Sequence, residues 1–381
     1  MEIIFFMKNF TSTIPLDAPK DLVKLPNSYI LKATFAILSV FLFFILYSLL
    51  IVGLFYLTYW SISYEMKIIN KLTILLKIGA VAGSVMLLVF TFKFLFKLKN
   101  IKPDNRVKIT QNEFPLLFDF INSICKEANA PKPKNIYIDP DVNAYVSYTN
   151  VWLSLFFPTR KELTIGLGLV STLNVSEFKA VIAHEFGHFS QRSMKIGSYI
   201  HSANTIIHDM IYNRDKWDEF LDQWRNSDIR LSFAAWIITP LIWIIRNILK
   251  LFYLFLNRMN SLLSLEMEFN ADKVAVKVAG SESIVSALWK LEHGFSNWNT
   301  IISSAYHASK NNMYTANLYN HNDKLITNKN LENEKLKLPL DEVGNKKYFT
   351  SNENSKVSMY ASHPPSSLRE ASAKNPFIKS E

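Results

Sequence analysis

Cysteine is almost absent from this chain of 381 residues: Cys125 is the only one. A lone cysteine has no partner for a disulfide within the chain, and no motif surrounds it, so a buried apolar residue is expected there. It is compatible with a reducing compartment. Glycine is also scarce, at 10 residues, and the pair Gly166-x-Gly168 is completed by no further element of a phosphate-binding loop. No internal repeat and no linker to a separate domain is evident. Acidic residues number 32 against 42 basic ones, a net charge of +10. A basic chain can bind nucleic acid, but no recognised binding motif is present, so no nucleic-acid partner is expected.

Charge is missing altogether from Ala33 to Tyr64. A spanning helix needs about 20 apolar residues, so this run predicts a transmembrane helix with length to spare. Leu72 to Phe96 is a second candidate, with Lys77 and Lys93 near its ends where they can reach the interface. Between them Ile78-Gly79-Ala80-Val81-Ala82-Gly83 holds the small residues common at contacts between membrane helices. The first apolar run begins too late and is too long for a signal peptide. A third apolar region, about Leu231 to Leu256, is interrupted by Pro240, Arg246 and Lys250. It can span, re-enter or lie along the surface. Pro240 favours a kink or break, and a long buried core helix, which Arg246 and Lys250 do not exclude, is the alternative to a membrane segment. Lys8, Lys20, Lys24 and Lys32 precede the first helix, and Lys97, Lys99, Lys102, Arg106 and Lys108 follow the second, whereas the loop between them holds only Lys67 and Lys71. The positive-inside rule then places both outer flanks in the cytoplasm, with whatever follows residue 108.

What is present is His184-Glu185-Phe186-Gly187-His188, inside an apolar-patterned helix. Residues four apart on a helix share a face, so His184 and His188 can offer two imidazoles to one zinc ion. Glu185, one step round, can reach a water on that metal, the arrangement a zinc peptidase needs. Asn174 and Glu177 form a capping-box pattern ahead of Val175, Phe178, Val181 and Ile182 at helical spacing. Gly187 permits close approach of another backbone or of the metal site, at some cost in helix propensity. The competing reading is a core helix with two satisfied histidines.

A third ligand is available in Glu266-Met267-Glu268-Phe269-Asn270-Ala271-Asp272, which also reads as a helix. Glu268 and Asp272 share a face: Glu268 can supply a carboxylate oxygen, and Asp272 can accept the free N–H of a metal-bound histidine. Glu266 is the rival ligand but lacks a carboxylate four residues on. Two histidines and one glutamate leave a fourth zinc position for water, the mark of a catalytic site. An ordinary solvated acidic face is the alternative for Glu268 and Asp272 taken alone.

Asn143-Ala144-Tyr145, Leu163-Thr164-Ile165-Gly166-Leu167-Gly168-Leu169-Val170, the His184 helix, Glu268-Phe269-Asn270-Ala271-Asp272, and finally His363-Pro364-Pro365 with Arg369 occur in one order. In these pieces the chain resembles the HtpX-like and CAAX prenyl protease type 1 family of membrane-embedded zinc metallopeptidases. It departs from the family pattern at Met267, where an arginine is usual. The resemblance implies one Zn2+ held by His184, His188 and Glu268, with Glu185 as general base. It implies that Asn143 and Ala144 lie on an edge strand pairing with an extended protein or peptide substrate, which suits the unpaired backbone groups of an edge. It also implies that His363 and Arg369 approach the site and stabilise an oxyanion; a turn histidine and a surface arginine are the alternative. Membrane helices between the histidine pair and the third ligand are a further implication.

The fold expected is α+β and mostly helical, a helical transmembrane anchor in residues 1–108 joined to a gluzincin-type zinc metallopeptidase domain with a small sheet in 109–381. A further membrane-associated segment lies near 231–256. Phe114 to Asn129 reads as an amphipathic helix with Phe114, Leu117, Phe118, Ile121 and Ile124 on one side. Residues 136–139, 143–148 and 162–167 read as strands, and 194–223 as helical, with His201 and His208 structural. Residues 311–358, rich in Asn, Lys and Ser, read as a long loop or a partly disordered stretch. Function is expected to be zinc-dependent endoproteolysis of membrane or unfolded proteins at a bacterial inner membrane, the catalytic domain facing the cytoplasm and the bilayer a partner. The alternatives are a membrane zinc protein that binds peptides without cutting them, a processing protease for one (prenylated) substrate, and a membrane scaffold in which the histidine pair is accidental.

Overall fold

The computed structural model of the chain describes residues 27–96, 105–149, 160–190, 229–328 and 363–379, together with 15, 18, 19, 21–24, 200, 203, 204, 207, 208, 211, 212, 216–227, 334, 335, 337–341 and 344–349. In chain order the elements used below are α1 (Asn27–Ser63), α2 (Lys71–Phe96), β1 (Val107–Ile109), α3 (Pro115–Glu127), β2 (Asn135–Asp139), β3 (Ala144–Tyr148), β4 (Lys161–Gly166), α4 (Leu167–Val170), α5 (Val175–Ser190), α6 (Lys216–Arg225), α7 (Ile229–Ala279), α8 (Ser281–Ser309), α9 (Leu318–Asn328) and α10 (Ser366–Ala373). The fold is mostly helical with one small mixed sheet. The chain divides into two compact units, one of residues 1–30, 102–198 and 261–381, the other of 31–101 and 199–260.

In the second unit the long apolar runs form helices. On α1, Ala36, Val40, Phe43 and Tyr47 recur at helical spacing and are buried, while Phe35, Leu38, Leu42 and Leu49 are exposed. A helix that is apolar all round and half exposed suits a hydrocarbon solvent rather than water. Among the described residues three helices are long and apolar enough to cross a membrane: Tyr29–Ser63, Lys71–Phe92 and Ser232–Ala279. They mark the chain as a membrane protein. Between helices the Tyr47 hydroxyl donates to the Thr91 carbonyl, and the Ser61 and Ser84 hydroxyls lie 2.9 Å apart. The small residues of α2 meet α7, as their size suggests. A Cβ built on Gly79 would lie 3.4 Å from Ala234 Cβ, and one on Gly83 would lie 3.0 Å from Ile238 Cδ1.

Of the kink or break that Pro240 favours, the break does not occur. α7 runs unbroken through it and on into the segment that holds Glu268. Proline frees a backbone carbonyl one turn back, and membrane helices absorb this where hydroxyl side chains and neighbours supply bonds. Here Thr239 Oγ1 donates to the Ala235 carbonyl at 2.7 Å.

In the first unit the sheet has the order β1-β2-β4-β3, with β2 parallel to β4 and the outer pairs antiparallel. Strand β1, for which three residues gave too short a signal, pairs with β2 (Lys108 opposite Tyr137). Among the described residues strand β3 sits at the edge of the sheet, as expected of the Asn143 segment. Ile109, Ile121, Ile124, Ile136, Leu163, Ile165, Ile182 and Phe186 bury one side of sheet and helices in a common core. Cys125 is buried there, and burial pushes its thiol up to about 12. On α3 the buried residues are Phe120, Ile121, Ile124 and Cys125, while Phe114 stays partly exposed.

The long loop expected over 311–358 is corrected in part: α9 occupies Leu318–Asn328. Its Tyr319 stacks on Trp298 at 5.1 Å, and buried Asn322 donates to Ser171 Oγ and Thr172 Oγ1. A short polar helix of this kind is held by tertiary contacts rather than by its own periodicity. His208 packs against Tyr212 and Tyr253, in keeping with a structural role, and His201 lies outside the described residues.

Candidate metal centre

The N-terminus of α5 is set by the capping box. Asn174 Oδ1 accepts from Glu177 N, and Glu177 Oε2 accepts from Asn174 N, both at 2.9 Å. Glu177 is buried, and it also accepts from Ser286 Oγ at 2.6 Å and Lys290 Nζ at 3.0 Å. The same carboxylate thus caps α5 and locks it to α8. The pairing with Lys290 carried no local sequence signal, since the two residues are distant in the chain.

The other end of α5 is set by Gly187. A Cβ there would lie 2.9 Å from Ala271 Cα and 3.2 Å from Ala271 Cβ. The neighbour that Gly187 admits is therefore the backbone of α7. Gly187 lies between His184 and His188, and Ala271 lies between Glu268 and Asp272. Close approach of the two helices at this point therefore brings the two imidazoles onto the two carboxylates.

His184 Nε2 lies 3.5 Å from Glu268 Oε2, and His188 Nε2 lies 3.5 Å from Glu268 Oε1. One ligand atom from each of the three residues falls within 4.8 Å of the others, so the set can hold a metal ion. Glu268, rather than its rival Glu266, belongs to the set. His184 Nδ1 is 2.9 Å from Asp272 Oδ1. That contact orients the imidazole, with Nε2 facing Glu268.

Arg369 and His363 both reach this centre, from α10 and the turn before it. Arg369 is 7% exposed and donates through Nε to Asp272 Oδ2 at 2.8 Å and through an Nη to Oδ1 at 2.6 Å. This two-pronged pair is the strong form of the arginine–carboxylate bond. The tail that carries Arg369 is fastened in turn: Ser281 Oγ donates to the Ala373 carbonyl and accepts from Ile378 N. His363 has a side chain 57% exposed, and its Nδ1 lies 2.7 Å from Glu268 Oε2. Asn143 and Ala144 stand at the start of β3. Asn143 O accepts from Gly166 N at 2.7 Å, and its Oδ1 accepts from Ala144 N at 2.8 Å. At the far end of β3, Tyr148 meets Phe189 of α5 edge-on at 5.8 Å.

Protein groups alone set the charges as follows. Burial pushes the Glu185 carboxyl up to about 7, against the pull of the His184 charge. Burial, joined by the His184 charge, lowers His188 to about 4. Burial also opposes a charge on His184, but the bonds to Asp272 and Glu268 outweigh it and raise this imidazole to about 10. A carboxyl that titrates near neutral pH can both take and return a proton there. A neutral His188 has a free lone pair for a cation.

A profile of peptidase family M48 matches residues 112–376. Three curated proteins illustrate the likeness. The protease HtpX homolog of Pelotomaculum thermopropionicum is 27% identical over 187 residues, which is 48% of this chain and 61% of that protein. The homolog of Campylobacter concisus is 29% identical over 209 residues, 54% of this chain and 66% of its own. Protease HtpX homolog 1 of Saccharolobus solfataricus is 30% identical over 186 residues, 47% and 55% respectively. The chain thus spans about three fifths of the length of the curated relatives it matches.

Proposed function

The chain belongs to peptidase family M48, and on that footing we propose that it is a membrane-bound zinc endopeptidase hydrolysing peptide bonds of membrane or unfolded proteins. The observation that carries the proposal is the convergence of His184, His188 and Glu268, with Asp272 orienting His184. Two imidazoles and a carboxylate suit one zinc ion and leave a coordination position for water or substrate. Bound there, zinc would lower the pKa of a water and polarise the scissile carbonyl.

Glu185 takes the proton of the attacking water and returns it to the leaving amine, a task helped by the burial that raises its carboxyl. Asp272 holds the His184 tautomer. Arg369 commits both Nε and an Nη to Asp272, so its part is positioning. His363, exposed beside Glu268, is the side chain available to meet a developing oxyanion. The substrate lies extended along the β3 edge at Asn143 and Ala144.

For the whole chain we propose an anchor in residues 1–108 and a peptidase domain in 109–381, interrupted by the membrane segment near 231–256. The membrane is the bacterial inner membrane, with the metal centre on the cytoplasmic side. His188 and Glu268 belong to one compact unit, so the chain between them crosses the bilayer an even number of times. If the apolar half of α7 crosses, the polar stretch before it must cross as well. The contacts support this. Asn204 bonds Asn257 at 3.0 Å, His208 packs on Tyr253, and Asp218 bonds Arg246 at 2.6 Å, an antiparallel register. Such polar contacts let a helix of low hydropathy sit within a bundle.

The test is cleavage of an unfolded membrane-protein substrate in detergent with zinc supplied, wild type against Glu185→Gln. Cleavage lost in the variant at equal zinc content is the expected result. Zinc bound by both with cleavage by neither would make the protein a peptide-binding zinc protein. Cleavage of a single, prenylated partner only would make it a dedicated processing enzyme. Equal cleavage by both would remove Glu185 from the mechanism.

A further inference from the structure

Beyond the metal centre, the peptidase unit holds a cavity of about 960 Å³ between the end of α8 and α9. That volume is at the upper end of what small-molecule and side-chain pockets occupy, about 300–1,000 Å³. Its apolar lining comes from Ile301, Ala305 and Ala308 on α8 and from Leu318 on α9. The residues 301, 305 and 308 share one helix face. Met313 and Tyr314 form the rim and are 59% and 79% exposed, a large exposure for apolar side chains of a connecting turn.

Two of the cavity's walls are shared with the segment that leads into the edge strand. Val142, Trp298 and Ile301 are buried together, with Leu318 and Tyr319 packed against them. Val142 stands two residues before Ala144, the first residue of β3. A Cβ on Gly294 would lie 3.4 Å from Val142 Cγ1, so α8 presses directly on this segment. A polypeptide extended along β3 and continuing past Asn143 therefore runs toward the α8–α9 end of the unit.

We infer that this cavity is a substrate exosite that receives an apolar or aromatic side chain of an extended polypeptide, several residues from the bond at the metal centre. The inference rests on the peptidase reading and on β3 as the docking edge. Its consequence is a preference for long, unfolded, apolar chains over short peptides. Each residue beyond the edge adds about 3.3 Å of reach, so about six residues cover roughly 20 Å. Because pairing with the edge strand leaves the substrate's direction open, the added residues are placed at both ends of a test peptide.

The experiment measures binding of two fluorescent peptides to the full chain carrying Glu185→Gln, in lipid nanodiscs with zinc. One peptide covers only the metal centre, and the other is the same sequence lengthened by about six apolar-rich residues at each end. The lengthened peptide is expected to bind roughly tenfold more tightly. Ala305→Trp, which fills the cavity, is expected to erase that gap and leave the short peptide's Kd unchanged. Equal Kd values for the two peptides, or equal weakening of both by Ala305→Trp, would overturn the exosite. Should Ala305→Trp fail to fold, Tyr314→Ser at the exposed rim is expected to weaken the long peptide alone, and no selective loss there would count against the exosite. Cleavage of the short peptide by the wild type is measured in parallel. Cleavage without a length gap removes the exosite and keeps the peptidase, whereas a gap without cleavage keeps the exosite and removes the peptidase.

Discussion

The two halves of α7 meet their neighbours by the same device and to different ends. In the apolar half, Gly79 and Gly83 of α2 face Ala234 and Ile238; in the polar half, Gly187 of α5 faces Ala271. Each contact omits a side chain so that two helices approach closely. In the first the gain is packing between apolar surfaces, which in a bilayer must replace the hydrophobic effect as the source of association. In the second the gain is chemistry, because the residues flanking the contact are His184, His188, Glu268 and Asp272. The contacts also differ in tolerance. The nearest neighbours of Gly79 and Gly83 are side-chain atoms, whereas that of Gly187 is a backbone atom that cannot swing aside.

Each half also contributes one member of a pair between a buried carboxylate and an arginine. Asp272 receives two bonds from Arg369 and a contact from His184. Asp218 accepts from Arg246, whose Nε has no hydrogen-bond partner among the described residues and whose side chain is partly exposed. A buried pair repays its desolvation only when its remaining donors and acceptors are satisfied. The difference marks the first pair as part of a rigid centre and the second as a looser tie.

The largest effect is expected from Glu185→Gln, which leaves both helix contacts and both ion pairs intact. Proteolysis should fall by about 10²–10⁴-fold, with bound zinc unchanged by metal analysis. Asp272→Ala should come next. It strands the Arg369 charge, at a cost of about 3–5 kcal/mol in a melting experiment, and frees the His184 ring, with a loss of about 10–100-fold in zinc affinity. Asp218→Ala removes the looser tie and should cost less, about 1–3 kcal/mol, with zinc affinity kept. Equal losses from the two aspartate changes would erase the distinction drawn between the pairs. Gly187→Ala should destabilise by about 1–3 kcal/mol through overpacking and weaken zinc binding, read by competition with a chelator. The smallest effect should come from Gly79→Ala. Its Cβ makes only ordinary contact with Ala234, and the change should be neutral or stabilising by up to about 1 kcal/mol. A large loss there would show that the membrane contact is as tight as the one at Gly187.

Local signals account for much of what was legible in the sequence. The pentad His184–His188, the Asn174–Glu177 box, the apolar run from Ala33 and the carboxylates Glu268 and Asp272 all depend on spacing within one element. Each was recognisable because a helix turns every 3.6 residues whatever its surroundings. The Gly79–Gly83 contact was legible from the small size of its residues, although the identity of its partner was not. Failures came where an element owes its existence to distant residues. α9 is polar and short, and its Tyr319 and Asn322 are held by Trp298, Ser171 and Thr172. β1 is three residues long and is defined by pairing with β2. The passage of α7 through Pro240 depended on how the bonds lost at one proline were compensated.

The sequence by itself determined the chemistry available: two histidines at helical spacing, a glutamate on a second helix, a carboxylate to move a proton, and apolar runs long enough for a bilayer. These are properties of residue type and period, which a chain carries before it folds. Tertiary structure alone decided which groups meet. It placed Glu268 rather than Glu266 against the histidines, turned Arg369 onto Asp272, and set Glu177 against Lys290. Partners so far apart in the chain are joined by helix packing, and here that packing depends on how closely Gly187 lets α5 approach Ala271.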